Sequence, residues 1–390
     1  RNLMDAERLH VLLADPHLQG GGQVRYVSSL ARELTRFGHM VTLACRPGSV
    51  LEEAARAADC AVLPVFQFRG GVRPMSWVND LRQAVRFIRG ARPDILHVNG
   101  SQDHWTFGVA DRLLGRPVCV VRTRHNTYRV AENLPNRILN RHWTDYEIVV
   151  CEMVRLGLSR QRTFDPAHLC TIHNGADAEV FRPDPASRAR VRAAFGYDDT
   201  HVVLGIVARL VKAKGHEYLF RAVAQLKNAC PELRVLVLGQ GELEGHLRDL
   251  AGRLGIADRV LFAGYRDDMA ECVRAVDIGV QPSVDCDTSS FSLKELMASE
   301  IPVVASDYGG LKEIVSDGVE GLVVRAGTVD PLAAALRRLI ESPESRGRMG
   351  RSGRKRVLAE FTLEVFARRT EQAYRRALGI HRQGRARLPR

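Results

Sequence analysis

Apolar residues along this chain come in short unbroken runs. Each run is followed by a polar or glycine-rich turn and then by apolar positions at helical spacing. In the first half the runs are residues 9–14, 40–44, 60–64, 95–98, 118–121, 148–151 and 169–172. A run with no polar alternation suits a strand covered on both faces of a parallel sheet. Between the runs, Val24, Val27, Leu30, Ala31 and Leu34 fall on one side of a helix, and residues 77–88 and 105–114 read as two more. Residues 184–200 are polar and read as a bridge. The rhythm then restarts with runs at 202–207, 233–238, 260–263, 277–281 and 302–305, followed by helices at 331–340, 344–359 and 363–378. This alternation predicts doubly wound α/β sheets. The restart predicts two copies of one architecture, with the cleft between them as the default ligand site.

The totals narrow this picture. At 390 residues, 45% hydrophobic and 26% charged, the chain has an ordinary globular composition and the length of about two or three domains. No run approaches the roughly 20 apolar residues that span a bilayer, and residues 1–8 do not follow the plan of a signal peptide. The eight cysteines have no CxxC pair, and several sit inside apolar runs, as Cys119 and Cys151 do. Buried reduced thiols in a cytosolic protein are therefore expected, not a zinc or disulfide framework. The net charge of +12 favours anionic partners. It is concentrated after Glu371, where Arg375, Arg376, Arg382, Arg385, Arg387 and Arg390 follow with no acid. Such a tail reads either as solvated and disordered or as drawn to an acidic membrane surface. No nucleic-acid-binding module accompanies the charge, so nucleic acid is not an expected partner.

Ligands of a doubly wound sheet bind beyond the carboxyl ends of its strands, so the residues just after each run are the candidates. Gly20, Gly21 and Gly22 lie between a strand and a helix, where glycines let backbone amides approach an anion. The pattern is not GxGxxG, which argues against a dinucleotide-dependent dehydrogenase. Asn99 follows another run, and Arg124 and His125 follow the next, at the head of an arginine-rich segment reaching residue 141. A histidine there can orient a sugar hydroxyl or a phosphate, whereas His97 lies inside its run and reads as core. In the second half, Arg209 and Lys214 can present planar and point charge to one diphosphate. Gly239 and Gly241 are a weak glycine signal by themselves.

The most informative stretch runs from Asp287 to Glu295. Ser289 or Ser290 is a natural helix N-cap, so the free amides of the first turn make a seat for phosphate. The carboxylates of Asp287 and Glu295 bracket that seat and suit a hydroxyl-rich ligand. A sugar joined to a phosphate fits both halves of this description.

Taken in order, the motifs resemble those of the retaining nucleotide-sugar glycosyltransferases of family 4, which have the GT-B fold of two Rossmann-like domains facing across a cleft. The order is the Gly20–Gly22 loop, Asn174 to Asp177 with Phe181 and Pro183, Arg209 with Lys214 and Gly215, Gly239 with Gly241, Phe262 with Gly264, the two acids, and Gly309 and Gly310 with Glu313, Gly318 and Gly321. The resemblance covers nearly the whole chain. It implies an N-terminal acceptor-side domain over 1–182, a C-terminal donor domain over 183–362, a helix over 363–378 that packs back on the first domain, and a basic tail over 379–390.

By the same resemblance Arg209 and Lys214 bind the diphosphate, Asp287 lies by the donor sugar, and Glu295 holds the ribose. Ser290 and Phe291 would offer amides, Tyr265 and Arg266 border the base, and the Gly20–Gly22 loop nears the diphosphate. Asn99, Arg124 and His125 face the acceptor or sugar. Two departures stand out: Asp287 where the family usually has glutamate, and Asn99 where it often has a second histidine after His97. The implied activity is metal-independent, same-face transfer of a hexose from a nucleoside-diphosphate sugar, UDP in preference to GDP. The implied acceptor is a glycan or lipid-linked hydroxyl in lipopolysaccharide or other envelope synthesis, with the enzyme cytoplasmic and peripheral on the inner membrane face. An epimerase of the same fold and a non-catalytic nucleotide-sugar or glycan binder are the alternatives.

Overall fold

The structure is a computed structural model that describes residues 8–58, 60–70 and 73–386, with side chains described as far as 384. The N-terminal residues 1–7, and Arg387 and Arg390 of the basic tail, therefore lie outside the described residues, as does the side chain of Arg385. The chain divides into two compact units: residues 1–174 with 363–390, and residues 175–362.

The first unit is built from β1 (His10–Ala14), α1 (Gly22–Arg36), β2 (Met40–Ala44), α2 (Val50–Ala57), β3 (Ala61–Leu63), α3 (Pro74–Ala91), β4 (Ile95–Val98), α4 (Ser101–Leu113), β5 (Cys119–Arg124), α5 (Leu134–Arg137), β6 (Tyr146–Val149), α6 (Glu152–Ser159) and β7 (Leu169–Thr171). Its sheet is parallel, in the order β3-β2-β1-β4-β5-β6-β7. Leu12, Ala14, Leu96, Val98 and Val120 are fully buried in it, covered by Phe66, Phe107 and Ile88.

The second unit contains α7 (Pro185–Ala194), β8 (Val202–Val207), α8 (His216–Leu226), β9 (Leu233–Leu238), α9 (Glu244–Arg253), β10 (Val260–Gly264), α10 (Met269–Val273), β11 (Ile278–Gln281), α11 (Phe291–Ala298), β12 (Val303–Ser306), α12 (Leu311–Ile314), β13 (Gly321–Val324), α13 (Asp330–Ile340) and α14 (Pro343–Glu360). Its parallel sheet runs β10-β9-β8-β11-β12-β13. One face packs on Phe220, Leu226, Leu247 and Leu336, and the other on Leu293, Met297 and Val357. The last helix, α15 (Leu363–Ala386), belongs to the first unit. There Tyr374 donates to or accepts from His97 Nδ1 at 2.6 Å, and His381 Nδ1 pairs with Asp145 at 3.0 Å.

Two expectations change here. Residues 184–200 are not a bare bridge: Asp184 caps α7 by accepting from Ser187 N at 3.0 Å. Arg192, only 4% exposed, ties that helix to Asp277 at 2.9 Å and to the carbonyls of Asp198 and His201. The disordered reading of the basic tail fails for residues 379–386, which continue α15. All eight cysteines are free thiols. Among the described residues, no helix is long and apolar enough to cross a membrane.

Candidate active site

In the second sheet the winding reverses between β8 and β11, which are neighbours with their successors on opposite flanks. The crevice beyond the carboxyl ends of such strands is where ligands of open α/β sheets bind. Two loops meet there. The amides of Val284 and Asp285, after β11, donate to Ala213 O, after β8, at 2.8 and 3.2 Å. Gly215 makes this approach possible: its φ is +72°, and a Cβ on it would lie 2.0 Å from Pro282 O. The closed loops bring Lys214 Nζ to 2.9 Å from Asp287 Oδ2. The same oxygen accepts from Gln281 Nε2 at 2.8 Å and Ser283 Oγ at 2.7 Å. Asp287, 3% exposed, is thus held by a cation and two neutral donors, and its own carbonyl accepts from Gly310 N at 3.1 Å.

Three residues on, Ser290 caps α11 by accepting from Leu293 N at 3.2 Å. Ser292 Oγ bridges Ser290 Oγ at 3.1 Å and Gln281 Oε1 at 3.3 Å, so the cap is fastened to the end of β11. The first-turn amides of α11, beginning at Phe291, open beside Asp287 in sequence and carry the positive end of the helix dipole. Lys294 is fully buried below them, with Nζ 2.7 Å from Ser289 Oγ and 5.2 Å from the Phe361 ring centroid. Glu295 follows on the same helix, 2% exposed.

The other predicted residues of this unit differ in kind. Arg209 is exposed and makes no side-chain hydrogen bond or ion pair among the described residues. Gly239 and Gly241 serve close packing: Cβ atoms there would lie 2.1 Å from Ala208 O and 2.5 Å from Leu210 O. Tyr265 is 65% exposed, and Arg266 is paired with Asp268 at 2.7 Å. Sequence reasoning did not single out His216, which opens α8 immediately after Gly215. It is 2% exposed, neither ring nitrogen has a hydrogen-bond partner, and burial, then Lys214, pushes its pKa down to about 4.

In the first unit the winding reverses between β1 and β4. The Gly20–Gly22 loop lies beyond β1, exposed, and Cβ atoms on Gly21 and Gly22 would meet nothing within 4 Å. Asn99, beyond β4, joins three strand ends: its Nδ2 donates to Ala14 O at 3.0 Å, and its Oδ1 accepts from His125 Nε2 at 2.9 Å. Burial, then the charge of Arg122, holds His125 well below the ordinary imidazole range, so it is neutral. His97 is fully buried and pushed down to about 3 by burial and then Arg122.

Arg124 is committed to neighbours within its own unit. Its guanidinium donates to Glu147 at 2.9 Å and Asn140 at 2.6 Å and lies over the Phe164 ring. Arg122, two residues earlier, carries the uncommitted donors: it is 6% exposed, and Nε and Nη1 have no hydrogen-bond partner. Asp103 stands 3.9 Å from its Nη1. Among the described residues, one trio has the proximity of metal ligands: Cys119, Asp145 and His381. Both Asp145 oxygens are already engaged there, by Arg116 at 2.7 Å, Val120 N at 2.8 Å and His381 at 3.0 Å.

Two Rossmann-like units in one chain, each with candidate ligand-binding side chains at a reversal of strand order, are the architecture of the GT-B class of α/β protein. The family profile described as "Glycosyltransferase Family 4" matches residues 20–180, and "Glycosyl transferases group 1" matches residues 187–356. The chain belongs to this glycosyltransferase family. It is 36% identical over 236 residues to a D-inositol 3-phosphate glycosyltransferase of Mycobacterium marinum, covering 58% of this chain and 49% of that one. It is 33% identical over 207 residues to a GDP-mannose-dependent monoacylated alpha-(1-6)-phosphatidylinositol monomannoside mannosyltransferase of Corynebacterium glutamicum, covering 51% and 54%. The chain spans about half the length of the curated relatives it matches. Among solved structures, a glycosyltransferase of Rickettsia africae superposes with a TM-score of 0.86 at 18% identity, over 96% of this chain and 99% of that one. Anabaena HepE in complex with UDP superposes with a TM-score of 0.82 at 18% identity, over 94% and 100%. At such identities the likeness speaks to the fold.

Proposed function

We propose that this protein is a glycosyltransferase that moves a hexose from a nucleoside-diphosphate sugar, UDP in preference to GDP, to an acceptor hydroxyl with retention of configuration. The observation that carries this reading is the closed pair of loops at the β8–β11 reversal, which sets Lys214 against Asp287 beside the capped start of α11. Arg209, uncommitted on the same β8 loop, supplies a second cation. In the proposed reaction the bond from the anomeric carbon to the diphosphate oxygen breaks as the acceptor oxygen bonds to that carbon on the same face. The acceptor proton passes to the departing phosphate oxygen. Negative charge grows on the diphosphate, and Arg209, Lys214 and the α11 amides are the fixed positive groups that stabilise it. Those groups also motivate the proposal that no divalent ion is needed. Asp287 is held by three donors on one oxygen, which suits it to positioning a sugar hydroxyl.

HepE was solved with UDP and with UDP-glucose, which supports a nucleotide-sugar donor, while one relative's name specifies GDP-mannose. The names of two relatives specify an inositol phosphate or a phosphatidylinositol mannoside, which supports a phosphorylated or lipid-linked acceptor. The net charge of +12 fits such an acceptor at the cytoplasmic face of an acidic membrane, in lipopolysaccharide or related envelope synthesis. The test is a thermal-shift panel of UDP-, GDP- and ADP-sugars, since a ligand that prefers the folded state raises its stability by mass action. The expected result is a shift with UDP-hexoses that chelation of divalent ions leaves unchanged. Absence of a shift with every nucleotide sugar would refute the reading.

A further inference from the structure

The first unit has a cavity at the opposite end of its sheet from Asn99 and His125. It lies where α3 and α4 end and where β4 and β5 begin, closed by the last turns of α15, and has a volume of about 640 Å³. Small-molecule sites commonly occupy roughly 300–1,000 Å³. Ile88, Leu114, Val118 and Leu378 give it an apolar wall. Around it stand Arg89, Arg92 and Arg382, all exposed.

These three arginines share a property. None makes a side-chain hydrogen bond or ion pair among the described residues. Elsewhere Arg56, Arg116, Arg155 and Arg188 each pair with a carboxylate. The acid on the cavity lining is Asp94, whose Oδ2 accepts from His10 N at 2.7 Å and is thereby tied to β1. His381 also lines the cavity and is 5% exposed. Its Nδ1 must carry the proton it donates to the Asp145 carboxylate at 3.0 Å, while its buried Nε2 has no partner. Three like charges around one hollow repel each other until an anion joins them, and guanidinium forks match phosphate or carboxylate oxygens.

We propose that this cavity is a second ligand site, for an anion with an apolar tail: an alkyl phosphate or carboxylate whose head meets Arg89, Arg92 and Arg382 and whose chain lies on Ile88, Val118 and Leu378. Its occupant joins α15 to the starts of β4 and β5, and so secures the helix that completes this unit. The same chemistry occurs on a free acyl or prenyl phosphate and on a phosphate-headed membrane lipid.

The experiment is isothermal titration of the full chain with decyl phosphate, kept monomeric, with and without saturating UDP. Saturable binding that UDP leaves unchanged is expected, so failure here and failure of the donor-site reading are separable. Arg89→Gln/Arg92→Gln/Arg382→Gln should weaken binding at least about tenfold, the scale of losing charge-assisted contacts. Inorganic phosphate and decanol should each bind at least about tenfold more weakly than decyl phosphate. A melting curve and far-ultraviolet dichroism that match the parent show that the triple variant is folded. Unchanged decyl phosphate binding by the triple variant, or equal affinity for inorganic phosphate, overturns the proposal. Co-sedimentation with phosphatidic acid vesicles then names the source: vesicle binding lost in the triple variant assigns a bilayer lipid, and binding of the monomer alone assigns a free ligand.

Discussion

Replacing Asp287 with asparagine should tighten the binding of a bare nucleoside diphosphate while slowing sugar transfer. Lys214 is committed to Asp287 at 2.9 Å, with the two side chains only 18% and 4% exposed. A diphosphate that recruits Lys214 must share it with that carboxylate. A hydrogen bond to a charged group contributes about 1.5–3 kcal/mol net, so releasing half of it returns about 0.75–1.5 kcal/mol to the ligand. That corresponds to about 3- to 12-fold tighter binding. The carbonyl of asparagine still accepts from Gln281 and Ser283, so the loop has a way to keep its place. Transfer should fall, because the charge that orients the sugar is gone. Lys214→Met removes the cation and should weaken diphosphate binding by about one to two orders of magnitude. Isothermal titration with UDP gives the dissociation constants, release of UDP with the preferred sugar gives turnover, and a melting curve establishes folding. A folded Asp287→Asn variant that binds UDP no better than the parent would refute the reasoning, since Lys214 would then not be a shared cation.

Gly215→Ala should raise the dissociation constant for UDP by at least about tenfold with far-ultraviolet dichroism unchanged. Its Cβ would stand 2.0 Å from Pro282 O at a φ of +72°, and the two loops must part. Ser290→Ala should cost about 1 kcal/mol of stability, read as a lower denaturant midpoint, because it removes the cap of α11. His216→Leu should flatten the acid side of the stability curve. The folded histidine has a pKa near 4 and the unfolded one about 6.5, so between those values the unfolded chain binds the proton and the fold does not. The parent should therefore lose about 1.4 kcal/mol per pH unit relative to the variant as pH falls through that window. Parallel denaturation midpoints from pH 7 to about pH 4 would contradict it.

Strands in the middle of each sheet were legible because burial on both faces leaves an unbroken apolar run: β2, β4, β8 and β9 match their runs residue for residue. At the margins the signal fades. The strand β13 has four residues, and α2 has eight, two of them glutamates. The helix α7 reads as linker from its three arginines, yet Asp184 followed by Pro185 is a start signal, and Arg192 is buried by its contacts with Asp277. The polar run after residue 378 hides the fact that His381 keeps the helical spacing of Tyr374 and Ala377 and is buried as they are. Ser290 could be read as a cap because capping is local. The Lys214–Asp287 pair could not be read from residue chemistry alone: the partners are 73 positions apart, and only the strand order makes their loops neighbours. Arg124 and Arg122 are chemically alike in the sequence, and which of them is committed depends on Glu147 and Asn140 lying beside one and not the other.

The place of α15 in the chain bears on the order of events during synthesis. Residues 175–362 form a contiguous unit and are all available before α15 emerges from the ribosome. The first unit is different. His97 awaits Tyr374, Tyr146 awaits Arg376, and Asp145 awaits His381. The nascent N-terminal sheet must therefore stand with one flank bare until α15 has been translated, exposing apolar surface that invites chaperones or misassociation. Of the two units, the one whose translation starts earlier matures later.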